Sequence, residues 1–273
     1  MKSFYTLLNA APLGFRYYKI FFRFSQLPVS VEQEMIDYLT KENSCASIRL
    51  IEGSYNMVFV TVQHDISNLR KFLTDFYNIF GEYVSQKEIH TITKTHKVNQ
   101  KVFYAGAPHR TSFSQIGKAN DKIDIIDKNI LKLLTTDARM KLLNIALALK
   151  IDSSKVKYRI KRLEAKNIIV AYTTSLDMEK FGFMCTHIYF SLKNTSFIPG
   201  ILEFFDSRNL CIYAYELLGK FDMAVELYVD DSQKLKAIVT EFREKFQNQC
   251  ISYYVAPVFK EYSPCGSPFD VKS

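Results

Sequence analysis

The chain has 273 residues and a formal net charge of +8, and 48% of its residues are hydrophobic. That apolar content is enough to bury a sizeable core, and the length favours two or more compact units. Glycine and proline are scarce, so we expect no long low-complexity segment. The positive charge favours an anionic partner such as nucleic acid or a membrane surface, although many basic proteins bind neither.

The five cysteines lie far apart and form no CxxC pair, and the five histidines show no ligand spacing relative to them. This distribution predicts reduced thiols, no metal site and no cofactor. The N-terminal apolar run is interrupted by Asn9 and Pro12, which makes it too polar for a signal peptide. No apolar window is long enough to span a bilayer. We therefore expect a soluble, cytoplasmic protein with no membrane partner.

The pattern of apolar residues in 1–104 predicts alternating strands and helices. The predicted order is strand Arg16 to Phe24, helix Val31 to Lys41, strand Ser47 to Glu52, turn Gly53 to Asn56, strand Met57 to Gln63, helix Ile66 to Phe80 and strand Lys87 to Thr95. Residues 105–120 predict a linker because they contain glycine, proline and small polar residues without an apolar period.

Residues 176–263 predict the same order a second time, followed by a tail at 264–273. The elements are strand Met184 to Leu192, helix Ile198 to Asp206, strand Cys211 to Leu218, turn Gly219 to Asp222, strand Met223 to Val229, helix Ser232 to Phe246 and strand Ile251 to Lys260. The order βαββαβ predicts a ferredoxin-like domain, a four-stranded antiparallel sheet with two helices on one face. Apolar residues occupy both faces of strands such as Arg16 to Phe24. We therefore expect the free sheet face to be buried by dimerisation or by pairing of the two repeats.

Residues 121–175 change to short helices. Ile126, Ile130 and Leu134 recur at helical spacing, a second helix is predicted at about Lys141 to Leu149, and Asp152 is suited to cap a third helix. The strand-like run Ile168 to Thr174 follows that third helix. Three short helices and a strand in this order predict a winged helix-turn-helix.

The third helix, from Ser153 to Lys166, carries six lysine or arginine residues against one acid, Glu164. A basic outward face that follows a short helix and a tight turn is suited to the major groove of DNA. Ser154, Lys157 and Tyr158, near the helix N-terminus, are the better candidates for base contacts. The alternative is a merely solvated basic face. The predicted DNA-contacting residues are Ser153, Ser154, Lys155, Lys157, Tyr158, Lys161 and Arg162.

The segment Ile123 to Phe183 resembles the DNA-binding half of Lrp/AsnC transcriptional regulators. The Ile-Asp-x-x-Asp start, the Asp137-Ala138-Arg139 triplet, the run Tyr158 to Glu164 and the trailing Ile-x-x-Tyr carry the resemblance. The βαββαβ units are similar to that family's effector-binding and oligomerising RAM domain, which has a Gly-x-x-Asp turn before its third strand. The order here departs from the family's usual one, because a RAM-like unit comes first and no helix-turn-helix opens the chain.

The resemblance implies an α+β protein in which two ferredoxin-like, RAM-like domains flank a central winged helix-turn-helix. Its expected partners are double-stranded DNA, a second copy or a related Lrp-type regulator, and a small effector such as an amino acid. The implied effector residues are Gly53, Ser54, Tyr55, Asn56, Gly219, Lys220, Phe221 and Asp222. A glycine turn needs no ligand, however, and Asn56 replaces the motif's aspartate. Leu147 and Ala148 stand where charged residues are common, which suggests additional burial there.

The leading hypothesis is therefore a sequence-specific regulator and not an enzyme. Sirohaem decarboxylases use the same architecture and rely on histidine and basic side chains. Neither turn here carries a histidine, and His64 and His187 are more simply interpreted as a loop and a strand residue. A third hypothesis is a co-regulator that assembles with partner regulators and hardly contacts DNA. No nucleophile arrangement or phosphate-binding glycine loop indicates other chemistry.

Overall fold

The structure of the protein is a computed structural model that describes residues 3–98, 110–117, 121–175 and 178–262. Strand β1 (Ser3–Leu8) precedes the first repeat and was not predicted. The repeat comprises β2 (Arg16–Phe24), α1 (Val29–Lys41), β3 (Cys45–Ile51), β4 (Met57–Gln63), α2 (Ile66–Phe80) and β5 (Val84–Val98). The Asp65 carboxylate caps α2 by accepting the Asn68 backbone N–H at 2.8 Å. The predicted element order of the first repeat is present.

The segment predicted as a linker contains a strand, β6 (Arg110–Ser114), which pairs with β5. The Ser112 hydroxyl lies 2.7 Å from His96 Nδ1, and His96 Nε2 lies 3.0 Å from Glu216 Oε1. This run has no apolar period, yet it forms a strand because the edge of β5 beyond β2 supplies its hydrogen-bond partners. Residues 105–109 and 118–120 of the predicted linker and the tail lie outside the described residues.

The central segment consists of α3 (Ile125–Thr136), α4 (Leu142–Leu149), α5 (Ser153–Ala165) and β7 (Ile169–Ser175). The second repeat follows with β8 (Met184–Leu192), α6 (Ile198–Asp206), β9 (Cys211–Leu218), β10 (Met223–Val229), α7 (Ser232–Phe246) and β11 (Cys250–Tyr262). The additional burial expected at Leu147 and Ala148 is wrong. Leu147 is 69% exposed and Ala148 is exposed, because the inner face of α4 is formed by Ile145 and Ala146 instead.

The two repeats share one closed barrel. The strand order is β2-β4-β3-β11-β8-β10-β9-β5, and β5 also pairs with β2. Closure leaves each sheet with one face toward the barrel interior and the other toward its own pair of helices. Of the two expected ways to bury the free sheet face, the described chain uses pairing of its own repeats.

Three apolar clusters follow from this arrangement. Ile20 and Phe22 of β2 pack with α1 and α2, whereas Phe21 between them faces the barrel interior. On the second repeat, Phe190 packs with α6 and α7, and the adjacent Tyr189 faces the interior. The alternation of strand side chains thus supplies both the helix-covered cores and the interior core. None of the helices in the described ranges is both long and apolar enough to cross a membrane.

The strand β1 ties the central segment to the barrel by pairing antiparallel with β7. Its Thr6 hydroxyl donates to the Leu134 carbonyl at 2.9 Å, and the Ala138 N–H donates to the Phe4 carbonyl at 3.1 Å. On the other side, the Tyr5 hydroxyl lies 2.6 Å from that of Tyr213 in the barrel. One short strand therefore contacts α3, β7 and the second repeat.

The two predicted turns have the same internal structure. Asn56 Oδ1 accepts the Phe24 N–H at 2.9 Å, and Asp222 Oδ2 accepts the Leu192 N–H at 2.7 Å. An amide oxygen and a carboxylate oxygen can both accept a hydrogen bond, so asparagine maintains the turn where the motif has aspartate. Both side chains therefore have a structural role in ending a strand.

The turn glycine Gly219 lies so close to His90 that a larger residue is expected to destabilise the fold. At φ +159° its missing Cβ would lie 2.5 Å from His90 Cδ2, a ring held in the barrel by the Phe221 N–H, which donates to its Nε2. We expect Gly219→Ala to lower the free energy of unfolding by about 2 kcal/mol in chemical denaturation. Gly117→Ala is the matched control, because its φ is +150° and its Cβ would meet nothing within 4 Å. Equal losses in the two variants would contradict a steric origin.

Candidate nucleic-acid interface

The helices α3, α4 and α5 form a small core that holds α5 by one face. Val156, Ile160 and Leu163 of α5 are buried against Ile130 and Ile145 and their neighbours. This spacing matches one side of a helix, so the opposite side is directed outward. The helix predicted from Ser153 to Lys166 is present and ends one residue earlier, at Ala165.

A left-handed residue joins α4 to α5. Lys150 has φ +55°, and the Ile151 N–H donates to the Ala146 carbonyl at 3.1 Å. Asp152 occupies the N-cap position, but within the described chain its carboxylate caps no backbone N–H. It lies 3.5 Å from Lys155 Nζ instead. The turn geometry is thus set by the backbone, and Lys155 is partly neutralised.

The outward face of α5 carries the exposed polar side chains. Ser154, Lys157, Tyr158 and Lys161 are all exposed, Tyr158 to 67%, whereas Ser153 is half-buried. Among the described residues, neither Lys157 nor Lys161 has an ion-pair partner within 4.0 Å. These four side chains are consecutive on the helix surface at i, i+3, i+4 and i+7, so they form one face.

The arginines of α5 have a different environment from the lysines. Arg159 Nη1 lies 2.7 Å from Asp124 Oδ2 and 2.9 Å from Asp127 Oδ1, and Arg162 pairs with the second oxygen of Asp127. Asp127 is fully buried, and Lys166 pairs with Asp121 just before α3. Arg162, predicted as a DNA contact, is therefore engaged with α3 while its side chain remains 36% exposed.

Asp124 and Asp127 also build the start of α3. They form a capping box, in which each carboxylate accepts the other residue's backbone N–H. The Asp127 N–H, followed by the Arg159 guanidinium, lowers the pKa of Asp124 from its usual value. Both aspartates belong to the Ile-Asp-x-x-Asp motif of the sequence, but their role in positioning α5 was not predicted. The i, i+3 spacing of two acids at a helix start was the available signal.

The two predicted effector turns meet at one end of the barrel. Lys220 Nζ lies 3.1 Å from the Tyr55 hydroxyl, and the rings of Tyr55 and Phe221 are buried. The Tyr254 ring stacks on both Tyr189 and Phe221, with ring centroids 6.0 and 6.4 Å apart. The outer residues Gly53, Ser54, Gly219 and Lys220 are exposed. The turns thus combine an aromatic inner layer with a polar outer rim.

A buried charged cluster, not predicted from the sequence, lies deeper in the barrel. It contains Lys19, Arg49, His187 and Glu226, each no more than 9% exposed. Glu226 Oε1 lies 3.9 Å from Lys19 Nζ and 3.6 Å from His187 Nε2. Burial lowers the pKa of Lys19 to about 8 and that of His187 well below its usual value. The described residues contain no cluster of His, Cys, Asp and Glu suited to a metal ion.

Comparisons with known proteins support a winged helix-turn-helix in the central segment. Residues 123–170 match the winged helix-turn-helix DNA-binding family. The chain is 28% identical to the HTH-type transcriptional regulator LrpB of Bacillus subtilis over 142 residues, 52% of this chain and 95% of LrpB. It is 31% identical to an uncharacterised HTH-type transcriptional regulator of Pyrococcus furiosus over 106 residues, 38% of this chain and 70% of that protein.

A comparison of folds covers nearly the whole chain. The crystal structure of the siroheme decarboxylase NirDL superposes with a TM-score of 0.68, covering 96% of this chain and 76% of that one. The sequence identity in this superposition is 9%. The likeness therefore concerns the fold and transfers no residue roles.

The buried carboxylate of Asp127 provides a test of how α5 is held. Asp127→Asn leaves Arg159 and Arg162 facing a neutral amide, so we expect the free energy of unfolding to fall by about 3 kcal/mol in chemical denaturation. Asp230→Asn is the control, because it breaks an exposed pair with Lys234 and is expected to change nothing measurable. An unchanged stability of Asp127→Asn would refute this role.

Proposed function

The chain belongs to the Lrp/AsnC family of helix-turn-helix transcriptional regulators, and from this premise we propose that it binds specific DNA sequences through the outward face of α5. The observation that carries the proposal is the separation of basic residues on this helix. Lys157 and Lys161 are exposed without an ion-pair partner in the described chain, while Arg159 and Arg162 are paired with α3. The helix is thus held firmly and still presents free positive charge.

The side chains on the outward face of α5 differ in chemistry, and we expect them to have different roles in DNA binding. Lys157 and Lys161 neutralise phosphates, which supplies affinity that depends on salt. Ser154 and Tyr158 lie on the same face and have hydroxyls that donate and accept, so they are suited to base edges or phosphate oxygens. Ser153, Lys155 and Arg162 flank this face and act as secondary contacts. The wing strand β7 adjoins α5 and is suited to contact the neighbouring backbone.

The two lysines provide the decisive measurement. We expect Lys157→Ala with Lys161→Ala to reduce affinity for a selected DNA site at least ~10-fold, and to reduce the salt slope of log affinity by about 2. Fluorescence anisotropy at several salt concentrations measures both quantities. Lys71→Ala with Lys236→Ala removes equal charge from exposed positions on α2 and α7 and is expected to leave both unchanged.

The outcome also separates regulator from co-regulator. If the unmodified protein binds no site selected from random DNA, the direct-binding proposal is wrong, and co-purification with a related regulator becomes the relevant observation. If the control pair weakens binding as much as the α5 pair does, binding depends on the overall positive charge of the protein and not on the outward face of α5. Assembly into a dimer or higher oligomer would supply a second reading helix for a symmetric site.

We also propose that a small effector bound at the two turns controls DNA binding. The turns Gly53 to Asn56 and Gly219 to Asp222 support it, because they converge at one barrel end and expose polar groups around buried rings. An amino acid offers the matching chemistry, a carboxylate for Lys220 and an apolar side chain for the aromatic layer. Asn56 and Asp222 have structural roles and the Tyr55 and Phe221 rings are buried, so the exposed Ser54 and Lys220 are the candidates for direct side-chain contact.

The second candidate is an enzyme of the siroheme decarboxylase type. Two observations favour it: the fold likeness to NirDL and the presence of His187, Lys19 and Arg49 in the barrel. Against it, the His187 ring is fully buried and faces Glu226. Titration with an iron-uroporphyrin III analogue separates the two. We expect no saturable shift of its absorption, and a shift that His187→Gln abolishes would favour the enzyme.

A further inference from the structure

The strand register of the barrel identifies equivalent positions in the two repeats. On β2 and β4, Lys19 lies opposite Val60. On β8 and β10, His187 lies opposite Glu226. Lys19 is therefore equivalent to His187, and Val60 is equivalent to Glu226. The interior of the barrel is built from two halves that share a backbone but differ in charge.

The two junctions between the repeats also share a backbone arrangement but differ in charge. At one junction, Arg49 of β3 lies opposite Glu261 of β11. At the other, Tyr215 of β9 lies opposite Thr95 of β5. Both junctions have a register irregularity at the corresponding place, which aligns Arg49 with Tyr215 and Thr95 with Glu261. The first repeat therefore supplies the cations, and the second supplies the carboxylates.

These charges meet only across the two repeats. Arg49 Nη2 lies 3.3 Å from Glu226 Oε2 and 3.0 Å from Glu261 Oε1, and Lys19 Nζ lies 3.9 Å from Glu226 Oε1. The side chains of Lys19, Arg49 and Glu226 are 1%, 11% and 4% exposed, so their charges are largely removed from water. Within the described chain, Lys19 Nζ forms no hydrogen bond, and its charge is balanced by Glu226 and by the Tyr215 ring, whose centroid lies 4.3 Å away.

Pairing of like repeats would produce a different interior. Two first repeats would bring together two copies each of Lys19 and Arg49, with Val60 and Thr95 in place of both carboxylates. Two second repeats would bring together two copies each of Glu226 and Glu261, with His187 and Tyr215 in place of both cations. Like charges buried together without partners are strongly unfavourable. Of the three pairings, only the mixed barrel places each of these four charges beside one of opposite sign.

We propose that Lys19, Arg49, Glu226 and Glu261 form a pairing code that lets the barrel close only between a first and a second repeat. The interior sheet faces are therefore closed to like repeats of another copy and to related regulators that lack this charge pattern. Self-association of the protein uses its outer surfaces, or exchanges a first for a second repeat. This inference goes beyond DNA binding and does not depend on it.

Charge reversal in the full chain tests the code. Lys19→Glu with Arg49→Glu makes both repeats acidic, and Glu226→Lys with Glu261→Arg makes both basic. For each pair we expect the midpoint of thermal unfolding to fall on the order of 10 °C. The chain with all four reversals has matched charges again and is expected to regain at least half of that loss. Additive losses in the fourfold variant would overturn the proposal.

A neutral variant tests selectivity apart from stability. Replacing all four residues by methionine removes the charges while keeping apolar bulk, so the fold is expected to persist. Like repeats of different chains can then pair, and we expect sedimentation velocity to show a mixture of oligomers. Arg110→Met with Asp206→Met, an ion pair outside the barrel, is the control and should match the unmodified protein. An unmodified distribution for the fourfold methionine variant would also overturn the code.

Discussion

The structure depends on one constraint, that each four-stranded sheet carries large apolar side chains on both faces. In β2, Ile20 and Phe22 require the helices, whereas Phe21 requires cover from the other side. The second repeat meets this requirement with the equivalent residue, Tyr189. Because the cover comes from the same chain, a closed barrel replaces the open sheet that a single repeat would have, and no free interior edge remains.

The helix-turn-helix is attached to this barrel by hydrogen bonds and by Leu13, which packs on its core and on the apolar cluster that includes Phe15 and Val62 of β4. The β1–β7 ribbon and the Tyr5–Tyr213 contact connect it to the second repeat, and Phe4 contacts Arg139 just after α3. The Asp127 carboxylate then fixes α5 against α3. The position of the basic helix face is thus set by these directional contacts together with the packing of Leu13.

Much of this architecture was predictable because it follows local periodicity. The bounds of β2, β4, α2, α7 and several other elements match the sequence-based expectations, since alternation and helical spacing are properties of short windows. β1 and β6 were missed because each is a strand only through a distant partner. The burial expected at Leu147 is wrong for a different reason. It was inferred from an apolar residue standing where the family has a charged one, and such a departure does not show that the tertiary structure covers that face of the helix. The ion pairs of Arg159 and Arg162 and the buried charges of the barrel likewise join residues far apart in the sequence.

The junction between β3 and β11 has a consequence for synthesis of the chain on the ribosome. Arg49 and Glu261 are neighbours in the barrel but are separated by most of the chain. At typical translation rates the second repeat emerges roughly 10 to 30 s after the first. During that interval the sheet carrying Phe21 has no cover on its interior face. The nascent first repeat therefore exposes apolar surface until its partner is made, and β11, the last strand of the described residues, is also the one that pairs with β3 to seal the barrel.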